Sequence, residues 1–196
     1  MSNYKIIIGD LHIDALKEIA HVILTAGIGS FADFFDFTLK PGYVTISFCS
    51  NLYEAKEIIQ YDGNSYFSDF ECIIPGSICI TFYENIFKKI DKLYYEFKQY
   101  NVGIDEFLTL SLYEFGSTAV SHILAAFSEF ISQGITVSNY GLNKKIQDIF
   151  SFEENEYYMI CELFDDNNIG EKFIGAYFIL NVKYIKILFD IFNIFV

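Results

Sequence analysis

The sequence predicts an α+β fold with a pseudo-twofold duplication, in which two long helices pack together on a shared, mostly antiparallel sheet. Three observations lead there. Two long segments with helical periodicity, His12 to Phe37 and Glu114 to Ser132, are each followed by short runs rich in β-branched and aromatic residues. The order helix, strand, hairpin, helix recurs at low identity, giving two halves of about 1–100 and 101–196 within a single domain. Finally, 196 residues with 53% hydrophobic and 19% aromatic content suffice for one buried core and are too apolar for disorder.

Taken in order, the first helix carries an apolar stripe of Ile13, Leu16, Ile19 or Ala20, Ile23 and Leu24. Gly27 and Gly29 interrupt it at about 1 kcal/mol each relative to alanine, which points to a kink or to close packing. Pro41-Gly42 marks a turn, and Y-V-T-I-S-F-C alternates as a strand does. Turn signals at Asp62 to Ser65 and at Pro75-Gly76 bracket a strand over Tyr66 to Ile74, with Ser77 to Tyr83 completing a hairpin. Glu84 to Gln99 alternates apolar with charged residues at helical period, as a partly solvated helix does. The second long helix is followed by the strand-like I-T-V-S and a turn at Asn139 to Gly141. Tyr157 to Phe164 and Lys172 to Leu180 read as two further strands joined by D-D-N-N-I-G, before a final helix.

Composition narrows the function. The 13 basic and 26 acidic residues give a formal net charge of -13, which disfavours nucleic acid and anionic membrane surfaces. Cys49, Cys72, Cys79 and Cys161 stand in apolar contexts without C-x-x-C spacing and read as reduced core residues of a cytoplasmic protein. No basic-then-apolar leader opens the sequence. In the apolar C-terminal region, Lys183, Lys186 and Asp190 break every window of about 18 apolar residues that a membrane span needs, so a buried strand followed by an amphipathic helix is expected.

The polar residues of the long helices carry the chemistry. In D-A-L-K-E-I-A-H, helical spacing places Glu18 and His21 on one face, a turn beyond Asp14. Aligned by the repeat, E-I-A-H at Glu18 to His21 falls on E-F-G-S at Glu114 to Ser117. Each site has a carboxylate one turn before a polar side chain, in an otherwise apolar helix. His12, His21 and His122 show no H-x-x-x-H spacing for a metal. T-A-G-I-G-S lacks the preceding strand and the lysine of a phosphate loop, and the acidic runs F-D-D-N-N and F-E-E-N-E read as solvated turns.

These motifs resemble the CheC family of chemotaxis phosphatases. Its signature is Asp or Ser, three residues, Glu, two residues, Asn, and a proline 23 positions later, once in each half. Asp14 and Glu18 match in the first half and Glu114 in the second, where L-Y-E-F-G and A-A-F-S-E-F-I run without a gap against the family pattern. The later hairpin and the closing strand and helix are similar too, so the resemblance covers nearly the whole chain. His21 and Ser117 stand where the family has asparagine, Leu110 where the second half has Asp or Ser, and Tyr140 where it has proline.

The resemblance implies binding of a phosphorylated CheY-type response regulator. In the family the glutamate pairs with a lysine of the regulator, and the asparagine positions a water for in-line attack on the aspartyl phosphate. It implies Glu18, His21, Glu114 and Ser117 as the catalytic set, Asp14, Thr25 and Ser121 as partner contacts, and no cofactor beyond the magnesium that the regulator carries. A neutral imidazole keeps one donor and one acceptor and can act as a base near neutrality, whereas a serine hydroxyl is shorter. Two readings stay open: a phosphatase with altered, weakened sites, and a module that only binds the regulator, the deamidase CheD or a flagellar-switch protein. Self-association is a third expectation.

Overall fold

The computed structural model describes residues 8–35, 40–59, 64–96, 102–143, 156–165 and 172–194, with the side chains of 32–35 and 143 left aside. The elements in chain order are α1 (Asp10–Phe35), β1 (Thr45–Cys49), α2 (Leu52–Ile59), β2 (Ser65–Glu71), β3 (Gly76–Phe82), α3 (Glu84–Glu96), α4 (Ile104–Ile131), β4 (Thr136–Asn143), β5 (Tyr158–Phe164), β6 (Ile174–Asn181) and α5 (Ile185–Ile191). The six strands form one sheet in the order β1-β5-β6-β3-β2-β4, and every pairing is antiparallel.

The sheet order carries the duplication. Exchanging β1 with β4, β2 with β5 and β3 with β6 reproduces the same order read backwards, so a topological twofold lies between β3 and β6. Each half lends its first strand to the other, because β1 pairs with β5 and β4 with β2. The expected α+β architecture is therefore present, with the two long helices on one face. Leu16, Ala20, Ile23, Leu24 and Ile28 of α1 and Ala119, Ile123, Leu124 and Phe127 of α4 are buried in one cluster with Ile78, Ile80, Phe178 and Leu180 of the sheet. Alternation along the strands sends Phe67, Cys79, Ile160 and Tyr177 to the opposite face, where Ala55 and Ile59 of α2 cover them.

The close approach expected at the glycines occurs at one of them. A Cβ on Gly27 would stand 2.6 Å from Ile123 and 3.1 Å from the Ala119 carbonyl oxygen, so its absence lets α1 and α4 touch. Gly29 faces solvent with nothing within 4 Å, and α1 runs through both as a continuous helix. Gly116 does the same toward the sheet, since a Cβ there would lie 2.2 Å from Cβ of Tyr66.

Three elements differ from the sequence reading. α4 begins at Ile104, ten residues before Glu114, because Phe107, Leu108 and Leu112 extend the apolar stripe backwards and Asp105 and Glu106 suit the positive end of the helix. α2 was not expected at all. Asn51 Oδ1 accepts from the Glu54 amide at 3.0 Å and Glu54 Oε2 accepts from the Ser50 amide at 2.7 Å, a local capping exchange that starts the helix. Asn139 to Gly141 is a bulge inside β4 rather than a turn: Ser68 pairs with Tyr140 and Asp69 with Ser138, leaving Asn139 extra at φ 43°, with its amide donating to Asp69 Oδ2 at 2.8 Å. The turn signals at Asp62 and across residues 166–170, the F-E-E-N-E run up to residue 155, and the ends expected at Phe37 and Gln99 lie outside the described residues.

The four cysteines are free, and burial pushes the Cys79 and Cys161 thiols up to about 12. β6 is buried along its length and leads into α5, as the C-terminal pattern indicated. Among the described residues no helix is long and apolar enough to cross a membrane.

The glycines make a paired prediction. Gly116→Ala should lower unfolding free energy by about 2 kcal/mol or more through overpacking against Tyr66, whereas Gly29→Ala should raise it by about 0.5–1 kcal/mol through helix propensity. Denaturant titration of the two variants measures both.

Candidate functional site

The 3.6-residue period of α1 turns Leu16, Ala20, Ile23 and Leu24 inward and leaves Asp14, Lys17, Glu18 and His21 on the outer face. Glu18 is exposed and His21 half-buried, and the imidazole makes no hydrogen bond to a described residue. The segment leading into β1 closes one side. Lys17, Glu18 and His21 line an open depression of about 450 Å³ together with Tyr43 and Val44. Asp14, at the rim, stands 3.9 Å from Lys17 Nζ, a loose contact between exposed groups.

On α4 the same spacing exposes Glu114 and leaves Ser117 half-buried. Here the hydroxyls turn back on the helix: Ser117 Oγ donates to the Glu114 carbonyl at 3.2 Å, and Ser121 Oγ to the Ser117 carbonyl at 2.8 Å. Each oxygen keeps its lone pairs and can still accept. Tyr66 lies beneath, edge-on to Tyr113 with ring centroids 5.4 Å apart. Burial, and then the neighbouring Tyr113 hydroxyl, Tyr140 and Glu114, raise the Tyr66 phenol above its ordinary range. The bulge in β4 lies beside this site and carries Tyr140.

The structure thus brings Glu18 with His21 and Glu114 with Ser117 onto outward faces of two touching helices, with Asp14 beside the first pair and the exposed Ser121 beside the second. Thr25 is different. Its Oγ1 is shielded from solvent and makes no hydrogen bond to a described residue, so the hydroxyl is turned away from any visiting protein. Sequence reasoning passed over Lys17, Tyr43 and Val44. Val44 was findable, because it lies 23 positions after His21, where the motif spacing puts a residue against the helix.

The other two histidines serve the helices. His12 Nδ1 accepts from the Gly9 amide at 3.0 Å while its ring lies 5.1 Å from that of Phe189. His122 Nδ1 lies 2.9 Å from the Thr118 carbonyl, one turn back. Among the described residues no three His, Cys, Asp or Glu side chains gather as metal ligands would.

The described geometry has solved counterparts. The structure is similar to FliY from Thermotoga maritima, with a TM-score of 0.65 at 12% identity over 96% of this chain and 98% of that one. It is also similar to the FliM middle domain from H. pylori, at TM-score 0.61, 13% identity, and 94% and 99% coverage. The chemotaxis protein CheX from Desulfovibrio desulfuricans aligns at TM-score 0.55 and 14% identity, over 83% of this chain and 99% of its own. The chain has the CheC/CheX/FliY fold. No protein-family model matches the sequence, and neither does any curated protein. At 12–14% identity these structures share the fold with few side chains in common.

The two structural histidines give a spectroscopic prediction. A carbonyl only accepts, so neutral His122 carries its proton on Nδ1, whereas His12, accepting at Nδ1, carries it on Nε2. Long-range ¹H–¹⁵N spectra at mildly alkaline pH should show opposite tautomers for the two rings, and identical patterns would contradict this geometry.

Proposed function

We propose that this chain is a CheC-like chemotaxis protein that binds a phosphorylated CheY-type response regulator and hydrolyses its aspartyl phosphate. One observation carries the reading: two glutamate-led helix faces, related by the internal repeat, both present their carboxylates to solvent on adjoining helices. In this reading Glu18 and Glu114 hold a basic group of the regulator, and His21 or Ser117 accepts a hydrogen bond from the attacking water. Water adds to phosphorus, the bond from phosphorus to the aspartyl oxygen breaks, inorganic phosphate departs carrying the water's oxygen and protons, and the aspartyl carboxylate remains on the regulator. Magnesium stays with the regulator and offsets phosphate charge. The protein itself supplies positioning, for which a displacement near 1 Å costs on the order of 100-fold in rate.

The second reading is a non-catalytic module that captures the phosphorylated regulator, CheD or a flagellar-switch protein, alone or as a homo-oligomer. It is favoured by the replacement of asparagine at both sites, since neither imidazole nor hydroxyl reproduces the carboxamide in reach and shape.

Phosphate release from the phosphorylated regulator decides between them. The unaltered protein should accelerate decay, and Glu18→Ala with Glu114→Ala should return it to the intrinsic rate. Activity that arises only in His21→Asn with Ser117→Asn supports the binding module. Intrinsic decay with the unaltered protein, and no complex in a pull-down with the phosphorylated regulator, would defeat both.

A further inference from the structure

The two sites share a backbone plan and differ in charge. Aligned by the repeat, Asp14 corresponds to Leu110, Lys17 to Tyr113, Glu18 to Glu114, His21 to Ser117 and Val44 to Tyr140. The glutamate is the only charged side chain common to both. Around Glu114 the rim is apolar and aromatic, with Leu110 52%, Tyr113 37% and Tyr140 57% exposed. Around Glu18 it holds a lysine and an imidazole that share the walls of the 450 Å³ depression.

A phosphoryl group brings concentrated negative charge, only partly offset by the regulator's magnesium, to a protein whose own net charge is -13, so a cation of the protein at the contact favours its approach. Lys17 is the cation placed there. Among the described residues no strong contact holds its ammonium: the Asp14 carboxylate is 3.9 Å away, and the two side chains are 44% and 72% exposed, a geometry in which ion pairing contributes little. Lys17 and His21 are four residues apart, one above the other on the helix, and Glu18 flanks them. A group seated in the depression can therefore meet the ammonium, the imidazole and the carboxylate together. Tyr113, in the equivalent place on α4, packs edge-on against Tyr66 and offers no positive charge.

We infer that the two sites are unequal: Lys17 engages the partner's phosphoryl group in the Glu18–His21 depression, and the Glu114 site holds the partner without reading its phosphorylation. This deepens the proposed function and rests on it, because a phosphorylated receiver domain is taken as the visitor. Lys17 acts as an anion-binding residue, whose three donors and point charge suit phosphate.

The test measures affinity for the regulator in two forms, unactivated and activated with beryllofluoride and magnesium. The unaltered protein should prefer the activated form. Lys17→Met should weaken binding of that form by about tenfold, the scale of one charge-assisted hydrogen bond, and leave the unactivated form unchanged. Lys17→Arg should retain the preference, and Lys88→Met on α3, which changes net charge equally, should alter neither affinity. If Lys17→Met keeps the full preference while Glu18→Ala weakens both forms, the inference falls and the proposed function stands. If the unaltered protein binds neither form, the proposed function fails and takes the inference with it.

Discussion

The contact of Gly27 with Ile123 and with the Ala119 carbonyl sets how α1 and α4 meet, and both candidate sites depend on it. Glu18 lies nine residues before Gly27, and Glu114 nine residues before Ile123. At 1.5 Å of rise per residue, each carboxylate stands about 13 Å along its helix from the contact. The same contact orients the faces: with one stripe of each helix turned toward its partner and the sheet, the Glu18 and Glu114 stripes point outward. A side chain at position 27 would push the helices apart and move the two sites relative to each other. The distance between them is thus a packing result, fixed by one missing Cβ.

The sheet beneath joins the two halves that carry these helices. Because β1 is hydrogen-bonded to β5 and β4 to β2, neither half owns a complete sheet, and separating them would strip two strands of their partners. On the far face α2 covers Cys49, Cys79 and Ile160, and the Tyr177 hydroxyl donates to the Ile59 carbonyl at 2.7 Å, tying the end of α2 to β6. A buried carboxylate, Glu162, sits on that face and accepts from Thr45 Oγ1 at 2.9 Å. Burial still raises its pKa above the usual carboxylate value, against the lowering effect of that hydrogen bond. Polar chemistry therefore exists on both faces, but the open depression described above lies on the helical one.

The features legible in the sequence were those written in periodicity. The apolar stripe from Leu16 to Leu24 and the β-branched and aromatic runs of β2, β3, β5 and β6 between their turn signals follow from burial, and the recurrence of Glu18 at Glu114 follows from the repeat. What escaped was encoded in single polar contacts. α2 depends on the exchange among Ser50, Asn51 and Glu54. The Asn139 and Gly141 signals truly mark non-extended backbone, at φ 43° and 151°, yet the strand resumes because β2 continues to pair with it. Thr25 shares the helical face of His21 by spacing alone, and its hydroxyl still turns inward, since χ1 is set by local packing. Tyr43 was out of reach because joining it to Glu18 needs the tertiary course of the chain into β1.

Duplication ordinarily preserves backbone and lets side chains drift, yet the asymmetry between the two sites extends into the backbone as well. β1 pairs with β5 without interruption from Thr45 to Cys49, whereas β4 carries one extra residue where it passes Ser68 and Asp69. An extra residue twists the strand and re-aims the side chains that follow it. Val44 is 8% exposed and forms the floor of the first site, while Tyr140, its counterpart by the repeat, is 57% exposed and stands up beside the second. Substituting Tyr140 by valine would thus not restore equivalence, because the bulge at Asn139 would still aim that position outward. The fold supplies two frames of the same plan, and the chemistry of each is decided by which side chains, and which local turn of the strand, fill them.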